Sequence, residues 1–302
     1  MDRRRFIQYG AAGTLGLNLL GPTLSAADST SDLTILHTND MHSRIDPFPD
    51  GSGKYAGLGG MARRAELIKS IRHQTKQVLL LDAGDIFQGT PYFNLFGGAL
   101  EFKLMSEMKY DAATLGNHDF DAGMDGLFEQ LPHANFPFII ANYDFNKTQL
   151  KDQFSPYRVF QKGAVKVGVF GLGIELDGLV EEKLYQGTVY IDPVGTAREM
   201  VQQLKAEECK LIICLSHLGY KYNGQKISDT TLAEKVSGID LIIGGHTHTF
   251  LPEPQEVLHQ NGHRTIINQV GFGGIHLGRI DYSLAGGSGV LSHRSKTVTV
   301  EN

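Results

Sequence analysis

The chain has 302 residues, 41% hydrophobic and 20% charged, the balance of a globular protein able to bury a full core. Its formal net charge of -5 argues against a nucleic-acid polymer as partner, which calls for a basic stripe.

Residues 1–27 differ in character from the rest of the chain. They place Arg3, Arg4 and Arg5 before Phe6 and Ile7, then an apolar run over 11–20, then the small residues of TLSAAD. A basic start, a short apolar centre and a small-residue cleavage point are the parts of an export signal. Consecutive arginines before an aromatic resemble the twin-arginine type. The apolar run falls short of the roughly 20 residues that span a bilayer. The expectation is cleavage near Ala26 or Ala27, a periplasmic or secreted product with no stable membrane anchor, and one mature domain over 28–302.

From Leu33 onward, short apolar runs alternate with polar loops and helical periods. LTILHT, VLLLDA, AATLG, FIIAN, VKVGVFGL, LIICLS, LIIGG and TIINQV read as strands. Their unbroken apolar character suits strands covered on both faces. Helical periods lie at 61–74, 100–109 and 196–207, and such alternation predicts a layered α/β architecture. The tail over 273–300 alternates more and reads as added antiparallel strands. Cys209 and Cys214, beside and within LIICLS, read as buried thiols too far apart for a disulfide.

Five apolar runs end in residues that can ligate or transfer protons. The first leads to Asp40 and His42, the second to Asp82 and Asp85, the third to Asn117 and His118. The sixth leads to His217 and the seventh to His246 and His248. Ligands collect at the carboxyl ends of strands in open α/β sheets, so these groups are placed to converge. Asp40 and His42, like His246 and His248, are two apart, so in extended backbone both side chains point the same way. Taken singly each piece is weak: an Asp-x-His pair is more often a cap and a surface histidine. Together they form a carboxylate, imidazole and amide donor set without thiolate, which suits Zn, Mn, Fe, Co or Ni. The candidates are too many for one tetrahedral ion, and two ions sharing a carboxylate account for them better.

The order Asp-x-His, GDIFQG, GNHD, lone His and GGHTH resembles the calcineurin-like metallophosphoesterases, and ILHTNDMH with LGNHDFD resembles their 5'-nucleotidase branch. The resemblance implies a four-layer α/β/β/α sandwich with helices outside two central sheets. It implies two divalent ions, Zn, Mn, Co or Fe. One would take Asp40, His42, Asp85 and His248; the other would take Asp85, Asn117, His217 and His246. His248 stands where some secreted nucleotidases carry glutamine, and Asp119 where many carry glutamate. The second difference is expected to matter little, since that position is not a ligand of the family pattern. His118 would stabilise the phosphoryl group or protonate the leaving alkoxide, with Asp121 orienting its ring. Asp82 reads as structural, and His37, inside the first strand, as a core histidine.

The resemblance implies a hydrolase of 5'-nucleotides or related phosphomonoesters, with a small phosphate ester as partner. The alternatives are an exported phosphodiesterase or thiosulfate-ester hydrolase, or a metal-bound binding protein without activity. The last is disfavoured because His118 and every ligand position are intact. The branch also has a C-terminal domain that stacks the nucleobase, and the expectation is that this sequence, running to Asn302, does not include it. Tryptophan is absent and no aromatic pair advertises a base clamp. Weak discrimination between bases is therefore expected, unless a separately encoded domain of that type docks in trans.

Overall fold

The structure, a computed structural model, describes residues 33–284 and 291–301. The export signal expected over 1–27 lies outside the described residues.

The strands in chain order are β1 (Leu33–Thr38), β2 (Val78–Asp82), β3 (Ala112–Ala113), β4 (Tyr143–Asp144), β5 (Tyr157–Lys162), β6 (Val165–Leu172) and β7 (Val189–Tyr190). They continue with β8 (Leu211–Ser216), β9 (Leu241–Gly244), β10 (Gln255–Leu258), β11 (Arg264–Asn268), β12 (His276–Leu284) and β13 (Leu291–Thr299). The helices are α1 (Met61–Gln74), α2 (Pro91–Phe96), α3 (Ala99–Glu107), α4 (Gly123–Gln130), α5 (Glu182–Tyr185), α6 (Pro193–Ala206) and α7 (Asp229–Lys235).

Two mixed sheets carry the architecture. One has the order β13-β12-β1-β2-β3, the other β10-β11-β9-β8-β6-β5. β1, β2 and β3 run parallel, as do β6, β8, β9 and β11, while β12, β13, β5 and β10 are antiparallel additions. The period of two divides each central strand between two cores. Leu33, Ile35, Leu79 and Leu81 face Val167, Val169, Leu211, Ile213, Leu241 and Ile243 between the sheets. Leu36 and Leu80 point the other way, onto Met61 and Ile68 of α1 and Phe102 and Met105 of α3. On the far side Phe170, Ile212, Cys214 and Ile242 meet Ala197, Val201 and Leu204 of α6 and Leu232 of α7. The result is the expected four layers of helix, sheet, sheet and helix.

Local chemistry sets the helix starts. Asp192 caps α6 by accepting Val194 N–H and Gly195 N–H at 3.3 and 2.7 Å, with Pro193 at the first helical position. Ser228 and Thr231 form a reciprocal capping box on α7.

The expected strand FIIAN does not form. Phe138 and Ile139 make only isolated bridges, to Ala113 and Ser155. The cause is β3, which lasts two residues before the chain turns toward the site, leaving no length of partner to pair with. Of the two cysteines, Cys214 is buried as expected, but Cys209 is only half-buried, and neither is bonded.

Candidate metal centre

The carboxyl ends of β1, β2, β3, β8 and β9 meet at one place, so both sheets contribute. Two groups of side chains there have ligand atoms within 4.8 Å of one another. Asp40, His42, Asp85 and His248 form the first; Asp85, His217 and His246 form the second, and Asp85 belongs to both. Asn117 joins the second through its Oδ1, 2.8 Å from His246 Nδ1.

The backbone is bent to achieve this. Asp40, His42, Asp85, His246 and His248 all have positive φ, between 47° and 71°. Few non-glycine residues adopt this region, and such strain persists where surrounding contacts enforce it. Several of those contacts are visible. Asp40 Oδ1 and Oδ2 accept His246 N–H at 2.9 and 3.1 Å, tying the end of β1 to the end of β9. Asp40 N–H reaches Gly84 O at 2.9 Å, and His42 N–H reaches Asp85 O at 3.0 Å. Gly116 must lack a side chain, since a Cβ there would overlap Asp85 Oδ1 and lie 2.6 Å from His217 Cε1.

The donor atoms fit divalent cations. His217 is fully buried, and its Nδ1 donates to Ala83 O at 2.7 Å. That bond turns Nε2 toward Asp85 Oδ2 at 3.1 Å and Asp40 Oδ1 at 3.9 Å, without hydrogen-bond geometry to either. His42 Nε2 and His248 Nε2 face each other across 2.9 Å, with Asp40 Oδ1 3.4 Å from the latter. Facing nitrogens and carboxylate oxygens at such spacing need a proton or a cation among them.

Electrostatics follow from burial. Burial lowers the pKa of His42, and pulls that of His246 down to about 4, so both rings are neutral and can ligate. Burial also opposes charge on His217, but Asp85 and Asp40 outweigh it and push its pKa up to about 10. Burial alone would raise Asp85; His217 and His42 instead hold it well below the carboxylate range.

The family model described as calcineurin-like phosphoesterase matches residues 33–250. The chain belongs to this family.

Snake venom 5'-nucleotidase of Crotalus adamanteus is 38% identical over 242 residues, 76% of this chain and 39% of that protein. The 5'-nucleotidase of Vibrio parahaemolyticus is 36% identical and matches 95% of this chain and 55% of its own length. Among solved structures, a 5'-nucleotidase precursor from Thermus thermophilus superposes with a TM-score of 0.80 at 33% identity, covering 88% of this chain and 54% of that one. The chain thus spans about two-fifths to half the length of these relatives.

In this calcineurin-like chain, His118 stands beside the ligand groups. Its N–H donates to Asp85 Oδ1 at 2.8 Å, its ring centroid is 5.2 Å from that of His42, and its Nδ1 is 2.7 Å from Asp121 Oδ2. The hydrogen bond that His118 donates to Asp121 is the main cause raising the His118 pKa. Asp82 lies outside both groups. Fully buried, it accepts Gly84 N–H at 2.9 Å and the Thr38 hydroxyl at 2.5 Å, pinning the turn that leads to Asp85. Burial pushes its carboxyl up to about 7. His37 is a core residue, accepting from Asn268 Nδ2 at 3.0 Å across the space between the sheets.

Two contributors, Asn39 and an aromatic cluster, escaped the sequence reading. A third, Asp119, was expected to matter little as a non-ligand yet shapes the site through its main-chain bonds. Asp119 accepts four backbone N–H groups, from Asp85, Ile86, Phe87 and Gly116, at 2.8–3.1 Å. Asn39 ties Asp40 to the loop at 270–271. Phe48, Tyr55, Phe250 and Phe272 gather beside His248. The position of Asp119 directly after His118 was a signal for it; the rings, scattered over three segments, carried none.

Proposed function

We propose that residues 28–302 form the catalytic domain of an exported, two-ion phosphomonoesterase acting on 5'-nucleotides or related small phosphate esters. The observation that carries the reading is Asp85, a single carboxylate common to two ligand groups, with the His118–Asp121 pair beside it. The relatives' shared name, 5'-nucleotidase, supports the substrate class. The arginine-led segment over 1–27 supports export by a twin-arginine route. Among the described residues no helix is long and apolar enough to cross a membrane.

Asp40, His42, Asp85 and His248 would hold one ion, and Asp85, Asn117, His217 and His246 the other. The absence of thiolate from this set suits Zn, Mn, Co or Fe. When bound, two divalent ions supply Lewis acidity toward water and the phosphoryl oxygens. The remaining work belongs to the chain. Asp121 holds Nδ1 of His118 and leaves Nε2 without a protein partner among the described residues, open toward the substrate. The bond to Asp121 favours the protonated ring, the form from which His118 can donate from Nε2 to the departing alkoxide.

The test is to compare specificity constants of the metal-loaded protein for adenosine and uridine 5'-monophosphates, a sugar monophosphate, a phosphodiester and a thiosulfate ester. Monoesters are expected to be cleaved fastest. Preference for the diester or the thiosulfate ester would replace the reading.

A further inference from the structure

We propose that Phe272 is a positioning residue that fixes the plane of the His248 imidazole, and so tunes the ion position that His248 shares with Asp40, His42 and Asp85. The inference rests on the two-ion reading of the site.

His248 is the most exposed of the ligand candidates. Its side chain is 41% exposed and its backbone sits at φ 50°. Ligating histidines are usually oriented by a hydrogen bond from the ring nitrogen away from the ion. His217 has one, from Nδ1 to Ala83 O at 2.7 Å. His246 Nδ1 instead faces the Asn117 oxygen of its own ligand group at 2.8 Å, and His42 Nδ1 is buried without a hydrogen-bond partner, so packing holds that ring. His248 Nδ1 makes no such bond among the described residues.

Its ring lies on Phe272 instead, centroids 5.2 Å apart and planes 21° from parallel. Phe272 is itself fixed by the edges of neighbours. Phe48, Tyr55 and Phe250 meet it at 5.9, 5.6 and 5.9 Å, with interplanar angles of 75–89°. Offset stacks and edge-to-face contacts are the favoured aromatic geometries, so the box holds one ring orientation.

The backbone carrying Phe272 is joined to the same ligand group. Asn39 Oδ1 accepts Val270 N–H at 3.0 Å, Asn39 Nδ2 donates to Gly271 O at 2.6 Å, and Gly273 N–H donates to Asp40 O at 2.7 Å. Gly273, at φ 62°, admits this path; a Cβ there would lie 2.7 Å from the Phe48 ring. Asp40 and the support of His248 are therefore tied together through the backbone. The stack replaces the missing hydrogen bond as the element that sets the direction of Nε2.

The experiment titrates metal-free protein with Mn²⁺ by calorimetry, comparing wild type, Phe272→Leu and Phe272→Tyr, with melting of each metal-free sample alongside. Phe272→Leu is expected to weaken one of two binding steps by about threefold to tenfold, the scale of a lost aromatic pair. The other step should stay within about twofold, and Phe272→Tyr should restore both. Unchanged affinities overturn the proposal. So does an equal weakening of both steps that tracks a loss of metal-free stability, which is the signature of a merely structural ring.

Should Phe272→Leu not fold, the wild-type protein still decides. Ring protons of His248, assigned by their absence in His248→Gln, should lie upfield of those of exposed His73, because they sit over the face of Phe272. Unshifted resonances overturn the proposal. A wild type that binds no ion removes the two-ion reading itself; a two-ion wild type indifferent to Phe272 removes the positioning role alone.

Discussion

The carboxylate of Asp119 accepts the backbone N–H of Asp85 at 3.0 Å, so the residue common to both ligand groups is oriented through its main chain by a side chain that can ligate neither ion. The same side chain takes Ile86, Phe87 and Gly116 N–H, wrapping the loop after β2 around one buried carboxyl group. Asp119→Asn places an NH₂ against donors it cannot accept from. The expected cost is about 1–3 kcal/mol of stability, the penalty of unsatisfied buried groups, together with lower metal retention. Melting temperature and elemental analysis check this, and wild-type values in both would contradict it.

Asp85→Ala should lose more metal than Ala substitution of His42, His217, His246 or His248, because it removes a donor from both groups at once. Elemental analysis after gel filtration is the measurement. Equal loss across the five variants would mean that Asp85 is not shared.

His118→Asn should keep near-normal metal content and lose turnover by about 10²–10⁴, the scale of a positioned acid-base group. Asp121→Asn should act in the same direction and more mildly, since it removes only the hold on Nδ1. An emptied site with unchanged turnover per metal would make His118 a ligand instead.

The legible part of the fold was the part buried on both faces. LTILHT, VLLLD, LIICLS and LIIG are buried along nearly their whole length, so their sequences are mostly apolar, with buried polar residues such as Thr34 and His37 the exceptions. The edge strands β5 and β10, reading YRVFQK and QEVL, are mixed because one side of each meets solvent, and they passed unnoticed. FIIAN failed for the opposite reason: an apolar run says that a segment is buried, not that a partner strand is present. In the site, Asp40, His42, Asp85, Asn117, His217, His246 and His248 were visible because each follows a strand end. Asp119 acts through main-chain N–H groups that no side-chain pattern records. Phe272 acts through a ring cluster built from positions 48, 55, 250 and 272, which only the fold brings together.

Stability in acid should depend on His37. This ring is fully buried, and burial lowers its pKa to about 3. In the unfolded chain a histidine takes its proton near pH 6.5. The folded state refuses that proton until about pH 3, so the unfolded state binds more protons in between. The contribution of neutral His37 is therefore present above about pH 6.5 and is lost as pH falls toward 3. Melting temperatures between pH 7 and pH 4 should fall more steeply for wild type than for His37→Gln, although the variant is less stable at pH 8. Parallel slopes would contradict the assignment.

The two-ion hydrolase is tested most directly by one titration. Metal-free protein, verified by elemental analysis, is given Mn²⁺ or Zn²⁺ in fractions of an equivalent while hydrolysis of a chromogenic phosphomonoester and its diester is followed. The account predicts no turnover without metal, activity that climbs as the second equivalent binds, and monoester cleaved faster than diester. Full monoester turnover in the verified metal-free sample would contradict it.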